Sequence, residues 1–376
     1  MRSEKIIILL VVVSFSVSGL LAWYLFGRND APPRPNLTRA NITNEAKRSP
    51  ALAGQATPPD ANTRIPSPAP ISGGKAISIT ASSQKGRVLY YNPETGIVTE
   101  TDFNGSNSVV ISPIKLPGFL RTIWSPNKSE VISEFVSSRF RYFNYITKQS
   151  VNLGSGVRSI VFSPDGSQIA YFLKNSEGGG IYLASPDNQE SKKILNTRFS
   201  KVQLLWPGKD LLSLVAHDEQ TDRESLFTLT LGGRLTKILD NLSHIETVWS
   251  REGENVIISF FDEHDALQTV RYTVATGESR KLDTESRASQ CMWTAAAQVV
   301  LCAVSQTPMS SAALENKSKI AQDMYEIDPK LGTKKLLFSS GSGGSKIQIA
   351  ELLLSPAEDY LIFTNVFDER LYSFKR

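Results

Sequence analysis

Acidic residues stand beside histidines at two places in this sequence, and a further acidic pair lies near its C-terminus. Carboxylates grouped with imidazoles can bind a cationic or metal-bearing partner. The same residue types are also usual in solvated surface loops, so both interpretations stay open. The spacing lacks the D-x-D-x-D-G regularity of a calcium loop, and we predict no metal and no cofactor. The candidate binding residues are His217, Asp218, Glu219, Asp262, Glu263, His264, Asp265, Asp368 and Glu369.

Catalytic motifs are missing from the chain. The sequence contains neither G-x-S-x-G nor G-x-x-x-x-G-K-[ST], the signatures of a hydrolase nucleophile and of a phosphate loop. Glu246 and Glu351 are the acids on strands that we place at the centre of the fold, where a carboxylate pair could cleave a glycan. We therefore expect a protein that is not an enzyme, with a glycan lyase or hydrolase using these channel carboxylates as the alternative.

Two cysteines, Cys291 and Cys302, flank a turn at Thr294–Gln298. Pairing symmetric about that turn sets them directly opposite each other on antiparallel strands, close enough for a disulfide. The alternative interpretation is that both cysteines are buried free thiols. No pair of histidines lies near them at the spacing of a structural zinc site.

A hairpin repeat positions these residues. Val161–Leu173 reads as two apolar strands joined by a turn at Ser163-Pro164-Asp165-Gly166. Six copies align on the residue before the turn, at intervals of 38, 44, 43, 44 and 61 residues. The first four intervals are close to the length of a four-stranded propeller blade, and the last one carries an insertion. We expect each of these residues to wedge between neighbouring sheets. They are Trp124, Phe162, Trp206, Trp249, Trp293 and Leu354.

A second hairpin follows most copies, so that four strands, a to d, recur in order. Ile77–Asp102 reads as strands b, c and d, and Gln348–Phe374 as a, b and c, so we expect the chain ends to meet and close a ring. The sequence predicts an all-β propeller of seven four-stranded antiparallel blades, with six as the alternative. Gln306–Met324 is an insertion between strands b and c with the pattern of a short surface helix.

The S-P-D-G hairpin followed by an I-A-Y-F strand resembles the TolB-type repeat, the WD-like (WD40-like) Pro-Asp repeat of β-propellers. The resemblance covers the chain from about Ile77 to the C-terminus and is strongest at Val161–Leu173. It implies a propeller used mostly for binding, often outside the cytoplasm.

The N-terminal part of the chain differs from the rest in composition. Ile6–Phe26 holds 21 residues without a charge and ends in Trp23-Tyr24-Leu25-Phe26, which predicts a retained transmembrane helix, or signal-anchor. A cleaved signal peptide is the competing interpretation. Arg2 and Lys5 favour a cytoplasmic N-terminus, which would make the protein single-pass with an extracytoplasmic propeller.

Asn29–Lys75 contains 9 of the 19 prolines and too little apolar sequence to fold, so it reads as a disordered spacer. The expected domains are 1–28, a cytoplasmic tip and membrane anchor, 29–75, the linker, and 76–376, the propeller. The basic excess lies in residues 1–75, with 9 basic and 4 acidic residues, against 32 and 33 in the remainder.

That charge distribution leaves the propeller without the concentrated basic surface that nucleic acid requires, so we exclude nucleic acid as a partner. The expected function is therefore a non-catalytic binding or scaffolding propeller of the cell envelope. It would be held at the membrane by Ile6–Phe26 and present a loop-built face to a protein or cell-wall ligand.

Overall fold

Antiparallel strands make up almost all regular structure in the computed structural model, which describes residues 67–176 and 178–376. The first sheet contains β2 (Ile77–Ala81), β3 (Arg87–Tyr91), β4 (Val98–Asp102) and β5 (Ser108–Ser112). The second contains β6 (Phe119–Trp124), β7 (Glu130–Phe135), β8 (Arg139–Asn144) and β9 (Ser150–Asn152). The third contains β10 (Val157–Phe162), β11 (Ile169–Asn175), β12 (Gly178–Ala184) and β13 (Lys192–Thr197).

The fourth and fifth sheets share one long strand. The fourth contains β14 (Lys201–Gly208), β15 (Leu211–Asp218), β16 (Arg223–Thr230) and the first half of β17 (Leu235–Trp249). The second half of β17 begins the fifth sheet, followed by β18 (Asn255–Phe261), β19 (Leu267–Thr273) and β20 (Ser279–Leu282). A 3₁₀ turn at Ala288–Gln290 leads to the sixth sheet.

The sixth sheet contains β21 (Cys291–Trp293), β22 (Val300–Ser305), β23 (Gln322–Ile327) and β24 (Lys334–Phe338). The one α-helix among the described residues, α1 (Ser311–Glu315), lies in the predicted insertion between β22 and β23. The seventh sheet contains β25 (Ile349–Leu354), β26 (Tyr360–Asn365), β27 (Arg370–Lys375) and β1 (Ala69–Lys75).

The hairpin turns owe their shape to short polar side chains. Ser163 Oγ donates to Asp165 Oδ1 at 2.6 Å and accepts from Gln168 N–H at 3.0 Å, which closes the turn between β10 and β11. The bond from Ser163 lowers the pKa of Asp165 to about 2, and the Ser167 backbone and hydroxyl add to this. Gly166 adopts a φ of 76°, a left-handed backbone that glycine tolerates best.

Aromatic residues before these turns pack between neighbouring sheets, as predicted. The indole N–H of Trp124 donates to the carbonyl of Ser78 in the preceding sheet at 2.8 Å, and that of Trp293 donates to Val248 at 3.1 Å. Seven core clusters each combine residues of two neighbouring sheets; one of them, for example, contains Trp206 of the fourth sheet and Phe172 of the third. A four-stranded sheet therefore buries its faces against its neighbours.

The inner strands form a closed ring. From the seventh sheet to the fourth, successive contacts join β25, β2, β6, β10 and β14. The strand β17 is shared by the fourth and fifth sheets, and from it further contacts lead to β21 and back to β25. The protein is thus all-β, with seven four-stranded antiparallel sheets in a propeller-like ring, and the six-sheet alternative is wrong.

The ring closes through a strand that composition assigns to the linker. Ala69–Lys75 pairs with β27, and Arg370 donates to the carbonyl of Ser72 at 2.9 Å. Ala69–Lys75, which we assigned to the predicted linker, therefore belongs to the seventh sheet, because its polar and glycine residues pair with an open sheet edge. Ile77–Ala81 is correspondingly strand a, not strand b, of the first sheet.

Cys291 and Cys302 stand directly opposite each other on β21 and β22, and their sulfur atoms are joined at 2.09 Å. Within the described residues, no helix is long and apolar enough to span a membrane. The predicted anchor at Ile6–Phe26 lies outside those residues.

Candidate functional site

Loops of the fourth and fifth sheets and the helix α1 enclose a surface cavity of about 540 Å³. Its walls come from the β15–β16 hairpin (His217 and Thr221–Glu224), from Ser243 and His244 on β17, and from Asp262, Glu263 and Asp265 after β18. Ser311 and Glu315 of α1 form the last wall. We call this cavity the insertion groove, since the inserted helix closes one of its sides.

The inserted segment is held over the fifth sheet by apolar contacts. Met309 is buried against Phe261 and Leu267, and Leu314 and Ile320 pack against the same cluster. Ser310 caps the helix, accepting from the N–H of Ala313 at 3.1 Å. The sequence predicts this helix, and the packing explains why it lies beside the groove.

Two histidine–carboxylate pairs face the insertion groove. His217 Nε2 lies 3.5 Å from Asp222 Oδ1, and His244 Nε2 lies 3.7 Å from Glu315 Oε1. His244 Nδ1 also shares a hydrogen bond of 2.7 Å with the hydroxyl of Ser243. The Asp222 and Glu315 side chains are 93% and 66% exposed, so both carboxylates are accessible to a ligand.

Negative charge dominates the insertion groove. Six carboxylates line it against two permanent cations, Lys201 and Arg223. A concave surface lined by one sign of charge concentrates counterions and steers oppositely charged partners. The six acids are Asp222, Glu224, Asp262, Glu263, Asp265 and Glu315.

Three of these acids also hold the groove together. Glu224 accepts from the N–H of Ile245 at 2.6 Å, and Asp262 accepts from the N–H groups of His264 and Ala266. Asp265 accepts from the N–H of Ser311 at 2.9 Å, and hydrogen bonding from Ser311 lowers the pKa of this carboxyl. Asp222 and Glu315, whose side chains are mostly exposed, are well placed to meet a ligand.

Four other candidate residues from the sequence do not line the insertion groove: two lie beside it and two lie on the seventh sheet. Asp218 accepts from the N–H of Gln220, and Glu219 bonds to the hydroxyl of Ser200, both in the turn beside the groove. The third acidic pair lies on the seventh sheet instead. Asp368 accepts from the Tyr372 hydroxyl at 2.7 Å, and Glu369 pairs with Lys75 at 2.7 Å.

Sequence reasoning missed Ser243, His244 and Glu315 as site residues. The acid nearest to His244 in sequence is Glu246, which we placed on a central strand, and Glu315 reads as one charge of a surface helix. The insertion could have indicated these residues, because an extra helix between strands b and c must pack against the loops on the same face of the propeller.

The two channel carboxylates are engaged between sheets. Glu246 accepts from the guanidinium of Arg287 and from the N–H of Ser289 at 3.2 Å. Glu351 accepts from the N–H groups of Ser78 and Ile79 at 3.0 and 3.1 Å, and burial raises its pKa. Both side chains therefore act as ties between neighbouring inner strands.

No group of three or more His, Cys, Asp or Glu side chains that could hold a metal occurs in the described part of the chain. The pairs at His217 and His244 each offer one imidazole and one carboxylate. The arrangement can bind cationic groups and can exchange protons with a ligand.

No family model and no curated protein matches this chain. Among solved structures it is similar to oligogalacturonate lyase in complex with manganese, with 11% identity and a TM-score of 0.58 over 79% of this chain and 90% of that chain. It is similar to hydrazine synthase of Kuenenia stuttgartiensis, with 12% identity and a TM-score of 0.53 over 86% and 98%. A protein assigned to TolB from Agrobacterium tumefaciens shows 12% identity and a TM-score of 0.47 over 65% and 88%, too low to carry an argument.

These likenesses show the propeller-like fold, and they correct one expectation. The prediction that the protein is not an enzyme is wrong in its reasoning, because oligogalacturonate lyase, an enzyme, has a similar fold. The missing hydrolase and phosphate-loop motifs therefore do not exclude a reaction, because catalytic groups on such a fold need not follow those motifs.

Proposed function

We propose that this chain is a membrane-tethered, seven-bladed propeller of the cell envelope that binds a cationic ligand in its insertion groove. The observation that carries the proposal is the placement of Asp222 and Glu315, two exposed carboxylates from separate segments that line one acidic cavity. A lysine-rich protein segment or an amine-bearing cell-wall component has the matching chemistry.

Electrostatics favours this ligand class over an acidic one. A polyuronate or a nucleic acid would meet six carboxylates and two cations in the groove, and like charges brought together oppose binding. A cationic segment would meet the same acids favourably.

The envelope location rests on the sequence. The uncharged stretch Ile6–Phe26 would anchor the chain, the Pro-rich spacer would hold the propeller away from the bilayer, and Arg2 and Lys5 would keep the N-terminus cytoplasmic. The resemblance to TolB-type repeats supports the same compartment. A bonded Cys291–Cys302 pair is compatible with an oxidising compartment.

The test is a calorimetric titration of the protein with tetralysine, repeated with the Asp222→Asn, Glu315→Gln double variant. We expect wild-type binding that weakens with salt, since exposed charges are screened. Loss of two rim charges, at about 0.5–1 kcal/mol each, should weaken binding about 5- to 30-fold.

The matched control is Asp210→Asn with Glu252→Gln, which removes two exposed acids from the a–b turns of the same two sheets. This control should bind tetralysine as the wild type does. Equal weakening in both double variants would show that net charge, not the insertion groove, attracts the peptide, and would contradict the proposal.

A reaction in the same groove is a second candidate. His244 lies between the Ser243 hydroxyl and the Glu315 carboxylate, an arrangement in which an imidazole can move a proton. The fold shared with a lyase is compatible with this candidate. Turnover of envelope polysaccharide that disappears in His244→Gln would establish it.

A further inference from the structure

A recess opens between the first and second sheets, apart from the insertion groove. Its volume is about 160 Å³. Tyr91, Val98, Val131 and Phe135 form its floor, and none of these residues is more than 3% exposed. Ile114 lies at its mouth and is 64% exposed. We call this cavity the inter-sheet recess; its floor is buried and its mouth is open to solvent.

The size and lining of the inter-sheet recess suit one aromatic ring. An apolar protein cavity of roughly 150 Å³ accepts a molecule of the size of benzene. Three aromatic side chains, Tyr91, Phe135 and Phe143, line the recess together with aliphatic ones. Aromatic rings pack favourably against one another in offset or edge-to-face arrangements. A single ring would therefore fill the recess and find partners there.

The polar atoms at the floor of the inter-sheet recess are paired with one another. The hydroxyls of Tyr91 and Tyr145 share a hydrogen bond of 2.7 Å, and the hydroxyl of Ser133 shares one of 3.0 Å with that of Thr122. A ligand that covers these groups need not supply a hydrogen bond to them. The floor therefore accepts the apolar end of a ligand.

Of the described residues that line the inter-sheet recess, only Arg141 is charged. Its guanidinium carbon lies 4.7 Å from the centre of the Phe135 ring. Among the described residues, no carboxylate pairs with Arg141 and no group accepts a hydrogen bond from it. A guanidinium that lies over an aromatic ring keeps the N–H groups at its edges available, and it can bind a carboxylate through two parallel hydrogen bonds. The recess thus combines an apolar floor with an unpaired cation.

The charges of the first two sheets favour an anion at Arg141. Residues 77–153 contain eight basic and five acidic residues. Each of the five acids already has a partner within the protein. The pairs are Glu94 with Lys75, Glu100 and Asp102 with Arg87, Glu130 with Asn144, and Glu134 with Arg121. An incoming carboxylate would therefore meet net positive charge and displace no acid from Arg141.

We propose that the inter-sheet recess binds a small aromatic carboxylate, with the ring against the buried floor and the carboxylate at Arg141. The occupant is a free molecule, because the recess has room for one ring and not for a length of polypeptide backbone. This site is separate from the insertion groove and takes a ligand of the opposite charge.

The first test is a fluorine NMR titration of the full chain in detergent with 3-(4-fluorophenyl)propanoate, with empty micelles as the blank. Wild type should bind the acid, and Arg141→Gln should weaken its binding about 2- to 5-fold, the effect of one exposed charge pair. Binding of the neutral amide of the same compound should be the same in both proteins. Arg158→Gln, which removes an exposed arginine from the third sheet, is the matched control and should bind the acid as wild type does. Absence of wild-type binding, or equal weakening in both variants, overturns the proposal.

The second test locates the ligand on the full chain. Photolabelling with 3-(4-azidophenyl)propanoate should attach to residues 114–116 and 131–135, and excess 3-phenylpropanoate should prevent the labelling. The acetate ion, which lacks the ring, should not prevent it at the same concentration. Labelling that maps to other sheets, or that excess 3-phenylpropanoate leaves unchanged, overturns the proposal.

Discussion

Deleting Ala69–Lys75 is expected to lower the free energy of unfolding by at least about 3 kcal/mol, because the ring then loses its closing strand. Ile71 is buried in the cluster that joins the seventh sheet to the first, beside Leu371 and Val88. The deletion also removes the acceptor for the N–H of Leu371, the hydroxyl of Ser72 at 2.9 Å, and exposes the edge of β27.

The comparison is between chains that begin at residue 67 and at residue 76, unfolded in urea. Both lack the residues before 67, so the difference isolates β1. Ile71→Ala in the full chain should reproduce part of the loss, about 2–4 kcal/mol, through the cavity it leaves. Equal stability of the two truncated chains would mean that the ring does not need this strand.

Glu351→Ala is expected to cost about 2–3 kcal/mol of unfolding free energy, because the backbone N–H groups of Ser78 and Ile79 lose their acceptor. These bonds connect β25 of the last sheet to β2 of the first, so this carboxylate ties the two ends of the folded chain. Glu134→Ala is the control. Glu134 pairs with a guanidinium that is 56% exposed, and its loss should cost less than about 1 kcal/mol.

The effect of Glu351→Ala should also depend on pH with a definite sign. Burial raises the pKa of Glu351 in the folded chain above its ordinary value of 4.5, so the folded state binds the proton more tightly than the unfolded state does. The stability that protonation contributes is complete below pH 4.5 and is lost as pH rises through the folded pKa. The difference between wild type and variant should therefore shrink as pH rises across that window; a difference that grows would contradict the burial.

Local sequence determines part of this fold strongly enough to be predicted. The turn at Ser163–Gly166 is specified by side chains two to five residues apart, and the opposed cysteines follow from the symmetry of a five-residue turn. The number of sheets follows from the repeat interval. These features depend on neighbours in sequence, where residue types and spacing are informative.

The closing strand could not be predicted in the same way. Ala69–Lys75 contains a proline and two glycines, and its pairing with β27 is interrupted between Pro70 and Lys75. Its strand conformation comes from an edge about 300 residues away in sequence. The strand β17 likewise runs without a break through two sheets because of tertiary pairing. Leu239 and Leu242 pair with β16 of the fourth sheet, and Thr247 pairs with β18 of the fifth.

The insertion groove, too, is only partly predictable from local sequence. Sequence clustering indicates His217 and Asp262–Asp265, but the pairs His217–Asp222 and His244–Glu315 come together because four separate segments meet beside α1. Whether those candidate residues bind a ligand stays a prediction.

Photo-crosslinking of a benzophenone-labelled tetralysine to the protein, followed by mapping of the attached peptides, tests the central claim most directly. The account predicts crosslinks to the walls of the insertion groove, in Thr221–Glu224, Ser243-His244 and Ser311–Glu315, and their loss in the Asp222→Asn, Glu315→Gln variant. Crosslinks concentrated on the a–b turns, or unchanged in that variant, would contradict it.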